Sequence, residues 1–189
     1  MIVSFTGAQC TGKTTLLKAC KELYSDKFVF VDEVTRLVKR EFNVPINEGS
    51  SNITQCLIIN KHIENRLISH EKQGLILDRC ILDGLCYTGY LHLEGKVSKW
   101  VFDYAKNVYG ELIEKLDHII YPDPYDVELV DDGERSIDVE FRNKMIEIFE
   151  EVMNGATYGS VLHNKVVRVK GTVEQRMEQI KMILCPQQP

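Results

Sequence analysis

No apolar run in the chain approaches the 18 or more residues needed to cross a bilayer, and the apolar stretch at 177–184 is broken by Glu178, Gln179 and Lys181. A membrane-embedded protein is therefore not expected. The N-terminus lacks the basic start, long apolar segment and small-residue cleavage site of a secretory signal. None of the six cysteines (Cys10, Cys20, Cys56, Cys80, Cys86, Cys185) stands in a CxxC pair. Free thiols in a reducing cytoplasm are expected, not a disulfide framework. The five histidines show no ligand spacing with cysteines or acidic residues, which argues against structural zinc. Positive charge is not in excess either: 23 Lys plus Arg against 28 Asp plus Glu give a formal charge of -5. The molecule as a whole offers no attraction for a polyanion, so any nucleic-acid contact has to be local.

What remains is an ordinary globular chain of 189 residues, 44% hydrophobic and 27% charged, with no repeat, low-complexity tract or Ser/Gly linker. Residues 1–189 are read as one domain. Short apolar runs rich in β-branched residues recur at 2–5, 28–31, 75–77, 118–121 and 166–169. Longer segments of helical periodicity separate them, at 13–24, 34–42, 52–73, 81–91, 99–116, 137–153 and 172–184. Strands that read as continuous apolar runs are buried on both faces by crossover helices, which predicts a parallel sheet. Two stretches break the rhythm. Residues 43–51 form a loop with Pro45, Asn47 and Gly49, and 122–136 is longer and acidic, with Pro122, Pro124 and Gly133. A connection of that length inside a compact domain suits a lid, taken here as about 122–142.

The strongest chemical signal follows the first strand, where Gly7-Ala8-Gln9-Cys10-Thr11-Gly12-Lys13-Thr14 matches GxxxxGK[ST]. The glycines let the chain curl so that amide N–H groups from Gly7 to Thr15 face phosphate oxygens beside a helix N-terminus. Lys13 can then reach the β- and γ-phosphates of ATP, and the Thr14 hydroxyl can ligate a bridging Mg²⁺. A magnesium ion also needs a carboxylate nearby, and Asp78 at the end of the 75–77 run supplies one. Arg79 follows into the crevice above the strand ends and can neutralise transferred phosphate. Asp32 and Glu33 close the second strand, with Arg36 one turn on. If phosphate moves to a hydroxyl, Glu33 is the carboxylate expected to orient that hydroxyl and accept its proton. A plain helix start with favourable dipole charge is the alternative for this pair. Arg135 in the acidic loop and Arg142 seven residues later can lie on one helical face and supply lid charge at the γ-phosphate. For Arg142, an ion pair with Asp138 stands equally open.

These motifs together resemble the P-loop kinases of the ATPase and ribosylnicotinamide kinase group, and are more distantly similar to deoxynucleoside and thymidylate kinases. The resemblance covers nearly the whole chain. It rests on the loop 7–14, Asp32-Glu33-x-x-Arg36, Gln55, Asp78-Arg79-Cys80 with Asp83 and Tyr87, Asp132-Gly133-x-Arg135 with Arg142, and Gly171-Thr172-x-x-x-Arg176. It implies a three-layer P-loop NTPase fold, a five-stranded parallel sheet flanked by helices with a lid segment. It implies an ATP- and Mg²⁺-dependent kinase acting on a hydroxyl of a nucleoside-like small molecule. Glu33 would contact the acceptor hydroxyl, Gln55 a base or ring amide, Arg135 would be a lid arginine, and the turn at Thr172 would touch the adenine. Cys80 departs from the serine common at its position in deoxynucleoside kinases. Three other readings stay open: a nucleoside monophosphate kinase with an arginine clamp, a kinase acting on a hydroxymethylated base in DNA, and a nucleotide-dependent switch ATPase. The oligomeric state is also open, a homodimer included.

Overall fold

The computed structural model describes residues 1–68, 70–126, 138–155 and 157–185. Five strands form one sheet in the order β2-β3-β1-β4-β5. They are β1 (Ile2–Phe5), β2 (Phe28–Val31), β3 (Gly74–Asp78), β4 (His118–Pro122) and β5 (Val166–Val169), and every neighbouring pair is parallel. Between them run α1 (Lys13–Tyr24), α2 (Val34–Phe42), α3 (Asn52–Arg66), α4 (Ile81–Leu93), α5 (Lys99–Ile113), α6 (Val139–Asn154) and the four-residue α7 (Gly159–Leu162). After β5, α8 (Val173–Leu184) returns along the sheet.

The continuous apolar strands are explained by two cores that share the sheet as a wall. In β3, Leu75 and Leu77 enter one core while Ile76 enters the other; in β4, Ile119 and Tyr121 face the first and Ile120 the second. That alternation is the period-two pleat, with apolar residues on both sides. The first core is closed by α4, α5 and α6, and the second by α1 and α8 through Leu16, Leu17, Cys20, Ile180 and Leu184. This makes three layers, as the sequence predicts.

Element boundaries differ in places for local reasons. The helix expected over 52–73 ends at Arg66, because the chain must straighten before β3: the Gln73 amide donates to the Lys27 carbonyl at 2.9 Å. The helix expected to reach residue 116 stops at Ile113, where Lys115 and Leu116 close a tighter turn on Leu112 and Ile113. The helices expected from 137 and 172 begin at Val139 and Val173, since Asp138 and Thr172 are their N-caps. Asn47–Gly49 forms a 3₁₀ turn within the expected loop, and α7 was not expected. Of the expected lid, Pro124–Asp126 is a 3₁₀ turn, while residues 127–137, Arg135 among them, lie outside the described residues. None of the six cysteines forms a disulfide. Among the described residues no helix is long and apolar enough to cross a membrane.

Candidate active site

The first turn of the sheet is shaped by left-handed backbone. Gly7 has φ +125°, Cys10 φ +55° and Gly12 φ +84°. At Gly7 a side chain is excluded twice, by that conformation and by the Tyr121 ring, whose Cε2 would lie 3.0 Å from a Cβ. Lys13 is fully buried and its ammonium bonds the loop itself: Nζ donates to the carbonyls of Gly7 (2.8 Å) and Ala8 (2.5 Å) and to Thr11 Oγ1 (3.1 Å). Among the described residues, the amides of Gly7, Ala8, Gln9, Thr11 and Gly12 have no hydrogen-bond partner. Buried amides without partners each cost about 1–3 kcal/mol, so a concave row of them at a helix start is an arrangement made for an anion.

The facing wall of the site comes from the turns after β2 and β3. Arg79 carries φ +77°, a conformation that costs a non-glycine residue about 1–3 kcal/mol and persists only where its surroundings enforce it. Here they do: Nε donates to Glu33 Oε1 at 2.8 Å, and Nη1 to Asp83 Oδ1 at 2.9 Å and the Gly7 carbonyl at 3.4 Å. The guanidinium also lies 5.3 Å from the centroid of the Tyr87 ring. Although burial opposes its charge, Glu33, Tyr87, Asp83 and Asp78 together raise its pKa well above the ordinary value. Asp83 is itself held by the Thr6 hydroxyl (2.7 Å) and the Cys80 amide (3.0 Å), closing a capping box at the start of α4. Arg36 Nε pairs with the second oxygen of Glu33 at 3.0 Å.

One cleft of about 520 Å³ collects five of the residues singled out from the sequence. Thr14, Asp32, Glu33, Arg36 and Asp78 line it together, so the Thr14 hydroxyl and the carboxylates of Asp32, Glu33 and Asp78 face one space. Burial, and then the charge of Glu33, push Asp78 up to about 6, against the opposing pull of Arg79 and Lys13. A carboxylate whose ionised form is disfavoured by burial and by a neighbouring carboxylate is suited to receive a cation.

Other expected residues sit differently. Gln55 is buried and accepts from the Thr88 hydroxyl at 2.9 Å. The pocket it shares with His62, Arg79, Asp83 and Tyr87 has about 20 Å³ of room, enough for one water but not for a base. His62, wholly enclosed there, is pushed down to about 4 by burial. Thr15 is exposed on the first turn of α1. Thr172 caps α8 in a box with Gln175. Arg142 donates from Nη2 to the Pro124 carbonyl at 2.6 Å, anchoring α6 to the turn after β4. Nearby, Tyr87 and Tyr90 pack against Phe141 and Phe149, and Tyr109 packs against Tyr158.

Two roles were not legible beforehand. Arg176, buried, ties three segments through four acceptors: Nε bonds the Gly171 carbonyl (2.9 Å), Nη1 the Thr11 carbonyl (3.3 Å), and Nη2 the Asp123 carbonyl (3.2 Å) and Asp126 Oδ2 (3.3 Å). It therefore braces the phosphate loop from the far edge of the sheet. Gln9, on the loop itself, accepts from the Tyr87 hydroxyl at 3.0 Å, and its buried Nε2 has no hydrogen-bond partner. The resemblance quoted Arg176 and Tyr87, but nothing in the spacing of either points to these contacts.

An anion cradle at the end of β1, beside a strained arginine and paired carboxylates above the carboxyl ends of a parallel sheet, defines a P-loop NTPase of kinase-like fold. The chain belongs to a family described as an AAA domain, which matches residues 2–176. Its fold is similar to that of NadR protein in complex with NR (22% identity, TM-score 0.70, covering 96% of this chain and 50% of that one). It is also similar to NadR in complex with NAD and AMP-PNP (17% identity, TM-score 0.69, covering 96% and 48%). Deoxyadenosine kinase from M. mycoides with its products dCMP and dCDP aligns over 97% of this chain and 98% of its own (15% identity, TM-score 0.68). The chain thus spans about half the length of the NadR chains. No curated protein sequence matches it significantly.

Proposed function

We propose that the protein is a kinase that moves the γ-phosphate of ATP, with Mg²⁺, to a hydroxyl of a nucleoside-like acceptor. The observation that carries this reading is the row of partnerless loop amides opening beside a cleft where Thr14 and Asp78 meet Asp32 and Glu33. The residues suit the metal. Among the described residues no three His, Cys, Asp or Glu side chains cluster to cage an ion, and Mg²⁺ characteristically takes one or two protein ligands with phosphates and waters. Thr14 and Asp78 would hold it, and it would neutralise charge developing on the β- and γ-oxygens.

Phosphoryl transfer asks for positioning and charge more than covalent chemistry. Gly7 to Thr15 hold the triphosphate, and Lys13 exchanges its loop carbonyls for phosphate oxygens. Glu33, fixed from two sides by Arg79 and Arg36, presents a carboxylate to the acceptor hydroxyl and receives its proton. Arg79 is committed to Glu33 and Asp83, so its first contribution is to hold the acceptor carboxylate against the donor loop. Both arginines nearest the transfer point already face carboxylates, which favours a hydroxyl acceptor over one whose phosphate they would clamp.

The test is transfer of label from γ-labelled ATP to a panel of nucleosides and nucleotides, with ATP consumption followed in parallel. Acceptor-dependent consumption, lost in Lys13→Ala, is the expected result. Full hydrolysis without acceptor indicates a switch ATPase, and near-wild-type turnover in Lys13→Ala removes the P-loop from the chemistry.

A further inference from the structure

The cleft does not end at Arg36. It continues along α2 past Lys39, Arg40 and Asn43, which with Arg36 recur at i, i+3, i+4 and i+7 and so share one face of the helix. The charges on that face differ in their commitments. Arg36 is engaged with Glu33, whereas the side chains of Lys39 and Arg40 are exposed and have no ion pair or hydrogen bond among the described residues. The acidic residue of the same turn, Glu41, points to Lys61 instead, at 3.8 Å, so it does not neutralise them. In a chain of net charge -5, two cations left unmatched on the wall of the principal cleft are a local exception to the overall balance. They are also displaced from the chemistry. At about 1.5 Å of rise per residue, Lys39 and Arg40 lie about 9–11 Å along the helix from Glu33.

We infer that this end of the cleft is an anion subsite for the acceptor, so that the acceptor is a phosphate ester whose phosphate is separate from the hydroxyl that receives the new one. This rests on the kinase reading above and narrows its substrate class. The geometry divides the labour: carboxylates at the transfer point address a hydroxyl, and unmatched cations one nucleotide-sized step away address a phosphate. The same chemistry is offered by a free nucleoside monophosphate and by the terminal nucleotide of a strand.

The experiment compares binding of the four deoxynucleosides, their 3′- and 5′-monophosphates and a short single-stranded oligonucleotide with free terminal hydroxyls. Each is titrated into the full chain saturated with AMP-PNP and Mg²⁺, as wild type and as Lys39→Ala with Arg40→Ala. In the wild type a phosphorylated ligand should bind about tenfold or more tighter than its parent nucleoside, the change expected of one charge-assisted contact. That ratio should collapse in the double variant. Preference for a mononucleotide identifies a free acceptor. Preference for the oligonucleotide, with a log–log salt slope shallower by about 1.4 in the variant, identifies a strand. Equal binding of nucleoside and phosphate ester, a ratio unchanged in the variant, or binding of none of these ligands overturns the inference. Label transfer to the same ligands separates the two claims. Preference without any transfer removes the kinase reading and leaves the subsite standing, whereas transfer to plain nucleosides with no preference does the reverse. Transfer onto the phosphate itself, giving a diphosphate, overturns the subsite as drawn.

Discussion

Replacing Asp78 by Asn should make the unliganded protein more stable while weakening its grip on magnesium nucleotide. The carboxyl is pushed from 3.8 to about 6, chiefly by burial and then by Glu33. For an acid, a raised folded-state pKa means that the ionised form is disfavoured by folding, so the penalty is absent below the unfolded value and complete above the folded one. At 1.36 kcal/mol per pH unit the shift corresponds to about 3 kcal/mol. The amide has the shape of the protonated acid and no charge to lose. Denaturant unfolding of wild type and Asp78→Asn should therefore nearly coincide at pH 4, diverge between pH 4 and 6, and differ by up to about 3 kcal/mol in favour of the variant at pH 7 and above. With AMP-PNP and Mg²⁺ present the order should shrink or reverse, because ligand stabilisation scales with affinity and the variant lacks the carboxylate. A stability difference that is flat from pH 4 to 8, or a variant less stable at pH 7, refutes the argument.

Gly7→Ala should cost about 1–3 kcal/mol of stability from its left-handed backbone, and it should lose nucleotide affinity because the added methyl meets the Tyr121 ring. Urea unfolding and AMP-PNP titration read both, and wild-type values in either would refute it. Arg176→Lys keeps the charge but not the planar fork that reaches Gly171, Thr11 and Asp123 together. Nucleotide affinity should fall by about tenfold in steady-state or binding measurements, while far-ultraviolet circular dichroism stays native. Unchanged affinity would mean that the brace does not shape the loop.

The parallel sheet was legible because a strand covered on both faces must be apolar at every position, and Ile2–Phe5, Phe28–Val31 and Gly74–Asp78 are nearly so. The P-loop was legible because the turn needs left-handed backbone at positions 7 and 12, which glycine adopts at least cost, and the motif places glycine at both. Convergence of Thr14, Asp32, Glu33, Arg36 and Asp78 on one cleft followed from their shared place at the carboxyl ends of strands or in the first turn of the helices that follow them. Long-range closure was not legible. Nothing local tells that Arg176 reaches Thr11 across 165 positions, or that residues before Gly74 straighten to pair with Lys27. Gln55 was read as facing a ligand, and in the structure its amide oxygen is satisfied by Thr88, a partner no spacing rule could name.

The position of Arg79 has a thermodynamic consequence. Its guanidinium joins the carbonyl of Gly7, on the loop proposed to hold the nucleotide, to the carboxylate of Glu33, proposed to address the acceptor. A displacement at either end is felt at its opposite through a single buried and conformationally strained side chain. Linkage then requires that whatever occupancy of the loop does to affinity for the second substrate, the second substrate does to the loop by the same factor. On the proposed function the two half-sites would then act as one cooperative unit, and saturating either is the natural way to measure the other.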